Sequence, residues 1–228
     1  MIRVTENLRL IRDLLAEATS AAGRSDSSVK LLAVSKKQPV SAILAAAEAG
    51  QRDFGENFVQ EGLEKIAAAG RDDLIWHFIG HLQTNKTRAV AAHFDWVHTV
   101  DRFKVAKRLS EQRPDTMDSL NICLQVNIDN EPAKSGVQPD EVASLANDIV
   151  GLPRIRLRGL MCLPASRNDP EEQREPFARL RQLFESLRSE GLDIDTLSMG
   201  MSGDFAAAIH EGSTIVRIGT AVFGPRPT

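Results

Sequence analysis

Two adjacent lysines near the start of the sequence could supply a nucleophilic amine. The apolar stretch VKLLAVS occupies positions 29–35, and Lys36 and Lys37 follow it directly. A lysine amine in an apolar pocket near positive charge loses its proton more readily than an exposed one, and the neutral amine attacks carbonyl carbons. Schiff-base formation with an aldehyde is therefore the chemistry to consider. A solvated lysine pair at the end of a strand is the simpler interpretation.

A second group of residues, near the other end of the sequence, could bind a phosphate. Ser202 and Gly203 precede the helix-like stretch FAAAI, and Ser202 has the character of a helix N-cap. Arg217, Gly219 and Thr220 lie at the end of the apolar run TIVRIGT. Phosphate binds well where glycine loops meet free N–H groups at the start of a helix. A simple helix cap remains the alternative for Ser202.

These two groups of residues match the two ends of one cofactor. Pyridoxal 5′-phosphate (PLP) carries an aldehyde and a phosphate on a single ring. The lysine would react with the aldehyde, and the glycine-containing loops would bind the phosphate. The sequence therefore predicts a PLP pocket, provided that the fold brings the two groups together.

An alternation of strand-like and helix-like segments would position these residues. An amphipathic helix begins the sequence, with helical spacing of Val4, Leu8, Ile11, Leu15 and Ala18. Apolar strand-like runs follow at 29–35, 52–57, 75–80, 95–100, 120–128, 156–163, 195–201 and 214–220. Helix-like stretches occupy 40–49, 58–69, 82–92, 102–112, 138–150, 171–190 and 203–211.

This alternation predicts an α/β fold with a parallel sheet covered by helices. Eight strands are the number that closes a (β/α)8 TIM-type barrel. An open doubly wound sheet is the alternative, but no Gly-x-Gly-x-x-Gly turn follows the first strand. No linker or repeat divides the sequence, so we predict one barrel domain over residues 1–228, preceded by the N-terminal helix.

A barrel would gather further polar residues beside the lysine pair. In such barrels the chemistry lies at the C-terminal ends of the strands, and phosphate often binds after strands seven and eight. Glu56 and Asn57 end the second strand-like run, and Asn127 ends the fifth. His77 falls within the third run and His81 just after it.

The composition argues against several classes of function. The net charge is −3, and no basic stripe with interleaved aromatic residues is present, so we expect no nucleic-acid partner. No run approaches the roughly 18 apolar residues that span a bilayer, and the N-terminus lacks the apolar core of a signal peptide. We therefore expect a cytoplasmic protein that does not enter membranes. The sequence contains no tyrosine, which excludes a phenol of this chain as acid or base.

The remaining histidines and the cysteines are expected to be structural. Cys123 and Cys162 lie inside apolar runs, which predicts buried thiols. No zinc-site spacing connects the other four histidines, and surface or half-buried positions are expected for His81, His93, His98 and His210.

Six stretches of the sequence together resemble the pyridoxal phosphate homeostasis proteins, which are relatives of the N-terminal barrel of alanine racemase. In chain order they are LLAVSKKQP, FGENFVQE, WHFIGHLQTNK, RGLMCL, LSMGMSGDFAAAI and GSTIVRIGTAVFG. The resemblance covers nearly the whole sequence. It implies a fold-type III PLP-binding barrel and a monomer.

The resemblance also implies roles for individual residues at the two ends of the cofactor. Lys36 would carry the Schiff base. Lys37 would be solvated, because successive side chains along a strand point in opposite directions. Phosphate contacts would come from Ser202 and from the backbone of Gly219 and Thr220.

Around the cofactor ring, the resemblance implies a third set of contacts. Arg217 would face the pyridine nitrogen, while Asn57 and His77 would line the ring pocket. Lys134, in NEPAKSG, matches a lysine that the family carries in a flexible loop, and it is a candidate amine for cofactor transfer. An arginine beside the pyridine nitrogen disfavours protonation of the ring, because a second positive charge nearby is costly. The ring would then be a weaker electron sink.

These features favour a carrier over an enzyme. Racemisation needs an acid or base on each face of the substrate. In alanine racemase the second group is a tyrosine from another domain, whereas this sequence has no tyrosine and ends at Thr228. We therefore expect a non-catalytic protein that holds PLP and maintains intracellular PLP homeostasis, with delivery to PLP-dependent apo-enzymes as a further hypothesis.

Two alternatives to a carrier remain open. One is a small PLP-dependent racemase or decarboxylase with His77, His81 or Lys134 as its second base. The other is a phosphosugar enzyme built on the same barrel.

Overall fold

Eight parallel strands form a closed barrel in the computed structural model, which describes residues 2–132 and 134–225. The strands are β1 (Lys30–Val34), β2 (Asp53–Glu56), β3 (Ile75–Phe78), β4 (Trp96–Val100), β5 (Leu120–Val126), β6 (Ile155–Cys162), β7 (Thr196–Ser198) and β8 (Ile215–Ile218). The ring closes because β1 pairs with both β2 and β8, with Lys30 opposite Ile215. The predicted (β/α)8 barrel is confirmed, and the open sheet is wrong. Thr228 lies outside the described residues.

Helices precede the barrel and follow its strands. Within the described residues they are α1 (Ile2–Ala21), α2 (Val40–Glu48), α3 (Val59–Ala69), α4 (Thr87–His93), α5 (Phe103–Gln112), α6 (Val142–Val150), α7 (Pro170–Ser189), α8 (Phe205–His210) and α9 (Thr220–Phe223). The stretches predicted to begin at 82 and 138 start later as α-helices, because one-turn 3₁₀ helices, Thr84–Lys86 and Pro139–Glu141, precede α4 and α6. None of the described helices is long and apolar enough to cross a bilayer.

The N-terminal helix covers the barrel where β1 meets β8. Val4, Leu8, Ile11 and Leu15 are all buried, and Ala18 packs against the same core. They face α2, α8 and α9, the helices that flank these two strands. Burying each of the four large side chains contributes about 1.5–3 kcal/mol. The amphipathic spacing of the sequence therefore fixed which face of α1 is covered.

The inside of the barrel follows from the period-two alternation of the strands. Two small apolar clusters, distinct from the main core, consist of Leu32, Val34, Ile79 and Ile215, and of Trp96, Cys123 and Met161. Cys123 and Cys162 are fully buried, as predicted. Burial raises the pKa of each thiol to about 12, so both stay protonated and unreactive.

Candidate cofactor site

A cavity of about 230 Å³ opens at the C-terminal ends of the strands. Its wall contains six of the seven residues predicted to bind a cofactor, namely Lys36, Asn57, Ser202, Arg217, Gly219 and Thr220. Val34, Ile79 and Met161 add apolar surface. The barrel therefore brings the lysine pair and the two glycine-containing loops, from opposite ends of the sequence, to one cavity.

Lys36 reaches this cavity from a tight turn rather than from the strand itself. β1 ends at Val34, and the amide of Gln38 donates a hydrogen bond to the carbonyl of Ser35 at 3.0 Å. Lys37 has a φ of 60°, an uncommon value for a residue other than glycine. Its side chain is exposed, as predicted, whereas Lys36 is half-buried on the cavity wall. The two lysine side chains therefore point apart because of this turn, and not because side chains alternate along a strand.

A buried cluster of charged side chains holds the turn that carries Lys36 and Lys37. The ammonium of Lys65, on α3, donates to the carbonyl of Ser35 at 2.6 Å, to Glu56 at 2.8 Å and to Glu61 at 2.6 Å. The hydroxyl of Ser35 donates to the same oxygen of Glu56 at 2.5 Å, and Glu61 also accepts from the amide of Lys37. Burial raises the pKa of Glu56, while its hydrogen bonds with Lys65 and Ser35 oppose that rise. The cluster fixes the turn at both ends.

The opposite side of the cavity is formed by the loops after β7 and β8. A Cβ atom on Gly219 would lie 3.1 Å from the carbonyl oxygen of Val34, so glycine lets the loop approach β1 closely. α9 begins at the next residue, Thr220. The first N–H groups of a helix have no partner within that helix. This side of the cavity therefore offers backbone donors together with the hydroxyls of Thr220 and Ser202.

Ser202 is not the N-cap of α8, contrary to the sequence-based expectation. It lies in a turn, and the residue before α8 is Asp204. The carboxylate of Asp204 accepts from the amide of Met201 at 2.6 Å and so closes this turn. Because Asp204 organises the loop, the exposed Ser202 is not needed as a cap and lies on the cavity wall.

Arg217 projects from β8 to the floor of the cavity and is held by three hydrogen bonds. One terminal nitrogen, Nη1, donates to the carbonyl of Ser198 at 2.6 Å and to its hydroxyl at 2.7 Å. The other, Nη2, donates to the carbonyl of Cys162 at 2.8 Å. Burial lowers the pKa of Arg217, but a guanidinium is so strong a base that it keeps its charge. The cavity therefore has a fixed positive charge at its base.

Asn57 and His77, both expected at the ring pocket, occupy different places. Asn57 lies on the cavity wall, and its Oδ1 is buried without a hydrogen-bond partner among the described residues. His77 is fully buried and does not line the cavity. It sits one layer deeper inside the barrel, because the next inward side chain of that segment, Ile79, occupies the wall instead.

His98 and Ser198 are the residues that sequence reasoning missed. His98 was expected at or near the surface, yet it is fully buried, and it contacts His77 and Ser198 at 2.9 and 2.8 Å. The other three histidines of that group are exposed, as expected. The alternation in WVHTV places His98 on the same face of β4 as Trp96, which was the available signal.

Lys134 lines a second cavity, of about 310 Å³, beside the first. The two cavities share Asn57, Ile79 and Leu163. The ammonium of Lys134 pairs with Glu131 at 2.6 Å and donates to the carbonyl of Leu163 at 3.3 Å. His81 lies on the wall of the same second cavity.

Comparison with known proteins identifies the family. Residues 5–227 match the family model for the alanine racemase N-terminal domain. The pyridoxal phosphate homeostasis protein of Haemophilus influenzae is 51% identical over 229 residues, which span 99% of this chain and 97% of that protein. This chain belongs to the pyridoxal phosphate homeostasis protein family. The resemblance predicted from the six motifs is thus confirmed.

Two solved structures place the barrel among its relatives. PipY of Synechococcus elongatus, solved with PLP bound, is 37% identical with a TM-score of 0.85, and the match covers 97% of this chain and 100% of PipY. Alanine racemase from Corynebacterium glutamicum is 17% identical with a TM-score of 0.75, and this chain covers 62% of it. The second likeness shows a shared fold only.

Proposed function

We propose that this homeostasis-family protein binds PLP at the mouth of the barrel and keeps it as a protected reserve that maintains the free cofactor level. One observation carries the proposal: a single cavity combines the amine turn of Lys36, the charge of Arg217 and the backbone donors of Gly219 and Thr220. Support also comes from the curated relatives named for PLP homeostasis and from PipY, which was solved with PLP bound.

The residues of the cavity fit the chemical groups of PLP. When bound, PLP supplies an aldehyde that reacts with amines. In our proposal Lys36 would supply the amine for a Schiff base, and the loops that carry Ser202, Gly219 and Thr220 would hold the phosphate. Arg217 would face the pyridine nitrogen. The amide of Asn57, whose Oδ1 has no hydrogen-bond partner among the described residues, would contact the ring substituents. The cavity is smaller than the roughly 300–1,000 Å³ of drug-sized pockets, as suits one small aromatic ring.

The wall of the cavity favours a carrier over a racemase. Among the described residues that line it, Lys36 and Arg217 are the only ones with ionisable side chains. A charged arginine is a poor acid or base, so the wall offers a single group for proton transfer at Cα of an amino acid. A racemase or decarboxylase would have to recruit His81 or Lys134 from the second cavity.

A borohydride experiment tests the cofactor assignment. Reduction of the PLP-loaded protein, followed by peptide mapping, should place the label on Lys36. Lys36→Ala should fold and lose the visible absorbance of the bound cofactor. Lys37→Ala, its exposed neighbour, is the matched control and should keep the absorbance. Label on another lysine, or full absorbance in Lys36→Ala, would refute the assignment. A phosphosugar enzyme would give no trapped aldehyde at all.

A second experiment tests the absence of catalysis. The loaded protein is incubated with single L-amino acids in D2O, and exchange at Cα is followed by NMR. We expect exchange no faster than with the same concentration of free PLP. Faster exchange would replace the carrier with an enzyme, and variants of His81 and Lys134 would then identify its second base.

The proposal also covers the delivery of PLP to other proteins and the oligomeric state of this one. The protein acts in the cytoplasm as a monomer and hands PLP to apo-enzymes. Mixing the loaded protein with a PLP-dependent apo-enzyme in the presence of a PLP scavenger should still restore enzyme activity. Complete loss of restoration with the scavenger would mean that the cofactor travels only through solution. Light scattering of the pure protein should give the mass of one chain.

A further inference from the structure

A chain of hydrogen bonds crosses the interior of the barrel beneath the cofactor cavity. Its five links join Lys30 Nζ to Asp53 Oδ1 at 3.1 Å, Asp53 Oδ1 to His77 Nε2 at 3.0 Å, His77 Nδ1 to His98 Nε2 at 2.9 Å, His98 Nδ1 to Ser198 Oγ at 2.8 Å, and Ser198 Oγ to Arg217 Nη1 at 2.7 Å. Lys30 and Asp53 begin β1 and β2, so the chain runs from the N-terminal end of the barrel to the cavity. Barrel interiors are usually filled with branched apolar side chains, which makes this row unexpected.

A consistent direction for each hydrogen bond can be traced from the end at Arg217. A guanidinium has donors only, so Ser198 Oγ accepts from Arg217. The hydroxyl hydrogen of Ser198 is then available for His98 Nδ1, which accepts it. A neutral His98 carries its hydrogen on Nε2 and donates to His77 Nδ1. His77 in turn donates from Nε2 to the carboxylate of Asp53.

For neutral imidazoles, the opposite end fixes these directions. The carboxylate of Asp53 is an acceptor, and Lys30 can only donate to it. His77 must therefore present Nε2–H to Asp53, which leaves its Nδ1 to accept from His98. With both imidazoles neutral, the Asp53 end therefore leaves a single proton arrangement, and Arg217 is compatible with it.

This arrangement keeps both imidazoles neutral. An added proton on His77 would fall on Nδ1, which already faces the Nε2–H of His98, and that link would break. Burial lowers the pKa of both, and for His98 the neighbouring charges of Arg217 and Lys30 act in the same direction. For His77, Asp53 and the more distant Asp95 oppose the shift, and Lys30 adds to it. His77 also stacks on Trp96, with ring centroids 5.4 Å apart, and this contact fixes its ring plane.

We propose that Ser198 and His98 are positioning residues for Arg217, and that the chain back to Asp53 fixes the hydrogen of Ser198 so that its oxygen can only accept from the guanidinium. The inference rests on the proposed function, because the positioned Arg217 would act on the pyridine nitrogen of PLP. A guanidinium held in this way would present its charge to the ring and keep that nitrogen unprotonated. Turned away, it would let the ring protonate and would alter the electronic state of the bound cofactor.

The first test uses the protein without cofactor. In nitrogen-15 NMR of labelled histidine, His77 and His98 should both appear as neutral Nε2–H forms from about pH 8 to about pH 6. His77→Gln and His98→Asn assign the two signals among the five histidines. An Nδ1–H form, or protonation of either ring in this range, would overturn the directed chain. The outcome does not depend on PLP binding, so it stands even if the proposed function fails.

The second test asks whether the chain reaches the cofactor. Ser198→Ala should retain PLP about tenfold less tightly, because a hydrogen bond to a charged group is lost, and it should shift the pH midpoint of the visible absorbance. Ser213→Ala is the control, since the Ser213 hydroxyl is equally buried and, among the described residues, bonds only to backbone carbonyls near β7 and β8. If Ser198→Ala acted only by lowering the stability of the fold, Ser213→Ala would show the same loss of PLP retention.

Two substitutions of His98 separate positioning from packing. His98→Asn keeps an acceptor near the place of Nδ1 and should preserve most of the wild-type absorbance and its pH profile. His98→Leu removes the acceptor and should reproduce the effect of Ser198→Ala. Unchanged absorbance and retention in a folded Ser198→Ala, or an equal shift in Ser213→Ala, would overturn the proposal. If the wild type takes up no PLP, the proposed function fails instead.

Discussion

Replacing Lys65 with methionine should weaken the fold and loosen the turn that carries Lys36. Lys65 is 5% exposed, and its ammonium neutralises Glu56, which is fully buried, while also holding the carbonyl of Ser35. Methionine preserves most of the volume of the side chain but none of the three hydrogen bonds. The substitution therefore leaves the buried carboxylate of Glu56 without its positively charged partner.

The size of the effect follows from the contacts that remain. Removing one partner of a buried ion pair costs about 3–5 kcal/mol, because the other charge stays buried without compensation. Glu56 keeps the hydroxyl of Ser35 at 2.5 Å and can also take up a proton, so we expect about 3 kcal/mol at neutral pH. That is a large fraction of the roughly 5–15 kcal/mol that stabilises a typical protein.

The loss should depend on pH with a defined sign. Burial already raises the pKa of Glu56, and the hydrogen bond from Lys65 opposes the rise, so Lys65→Met should raise this pKa further. A carboxyl whose pKa is higher in the folded than in the unfolded state contributes less stability as the pH rises through that interval. The destabilisation should therefore be smaller at about pH 5 than at about pH 7.5.

Urea unfolding at the two pH values measures both effects. Lys107→Met is the matched control, because Lys107 is exposed and lies 3.9 Å from Glu111, so its removal should change stability by less than about 0.5 kcal/mol. Lys65→Met combined with Glu56→Leu should recover most of the loss, since replacing both buried charges by apolar groups is close to neutral. A loss below about 1 kcal/mol, or an equal loss at both pH values, would refute the reasoning.

Three further predictions concern other parts of the fold. Gly219→Ala should fold but retain PLP several-fold less tightly in equilibrium dialysis, because its Cβ would press on the carbonyl of Val34 at 3.1 Å; unchanged affinity would contradict the close approach. Leu8→Ala should cost about 2–5 kcal/mol in urea without changing PLP retention, because this fully buried side chain does not line the cavity. Arg167→Met should destabilise the protein more at neutral than at acid pH. Burial would raise the pKa of Asp129, but hydrogen bonds, led by the one from Arg167, lower it. The stability that Asp129 gains from this lowered pKa is lost as the pH falls through the pKa of the folded state. Equal urea midpoints for Arg167→Met and wild type at neutral pH would contradict it.

The sequence predicts the barrel well because the signals for it are local. The spacing of Val4, Leu8 and Ile11 determines the buried face of α1, and each strand-like run corresponds to one strand of the sheet. Barrel closure then follows from the number of strands, since eight parallel strands leave no exposed edge. The approximate site follows as well, because all strands have their C-terminal ends on one face.

The details of the site depend on contacts that no local pattern encodes. His98 and Ser198 are 100 residues apart and meet only because the barrel closes, so an expectation based on spacing placed His98 near the surface. Ser202 looked like a helix cap because serine often is one, and the competing role of Asp204 could not be seen without the turn. His77 was expected at the ring because the family resemblance implied it, whereas Ile79, two residues later on the same face, lines the cavity instead.

The short strand β2 contributes one side chain to each of the two hydrogen-bond networks that support the cavity. Side chains alternate along it, so Asp53 and Glu56 point to opposite faces of the barrel wall. Asp53 points inward and begins the chain that leads to Arg217, whereas Glu56 points outward to Lys65 and supports the Lys36 turn. One strand of four residues therefore supplies a carboxylate to each supporting network. Because the two networks share no hydrogen bond among the described residues, the position of the reactive amine and the charge beside the ring can change independently.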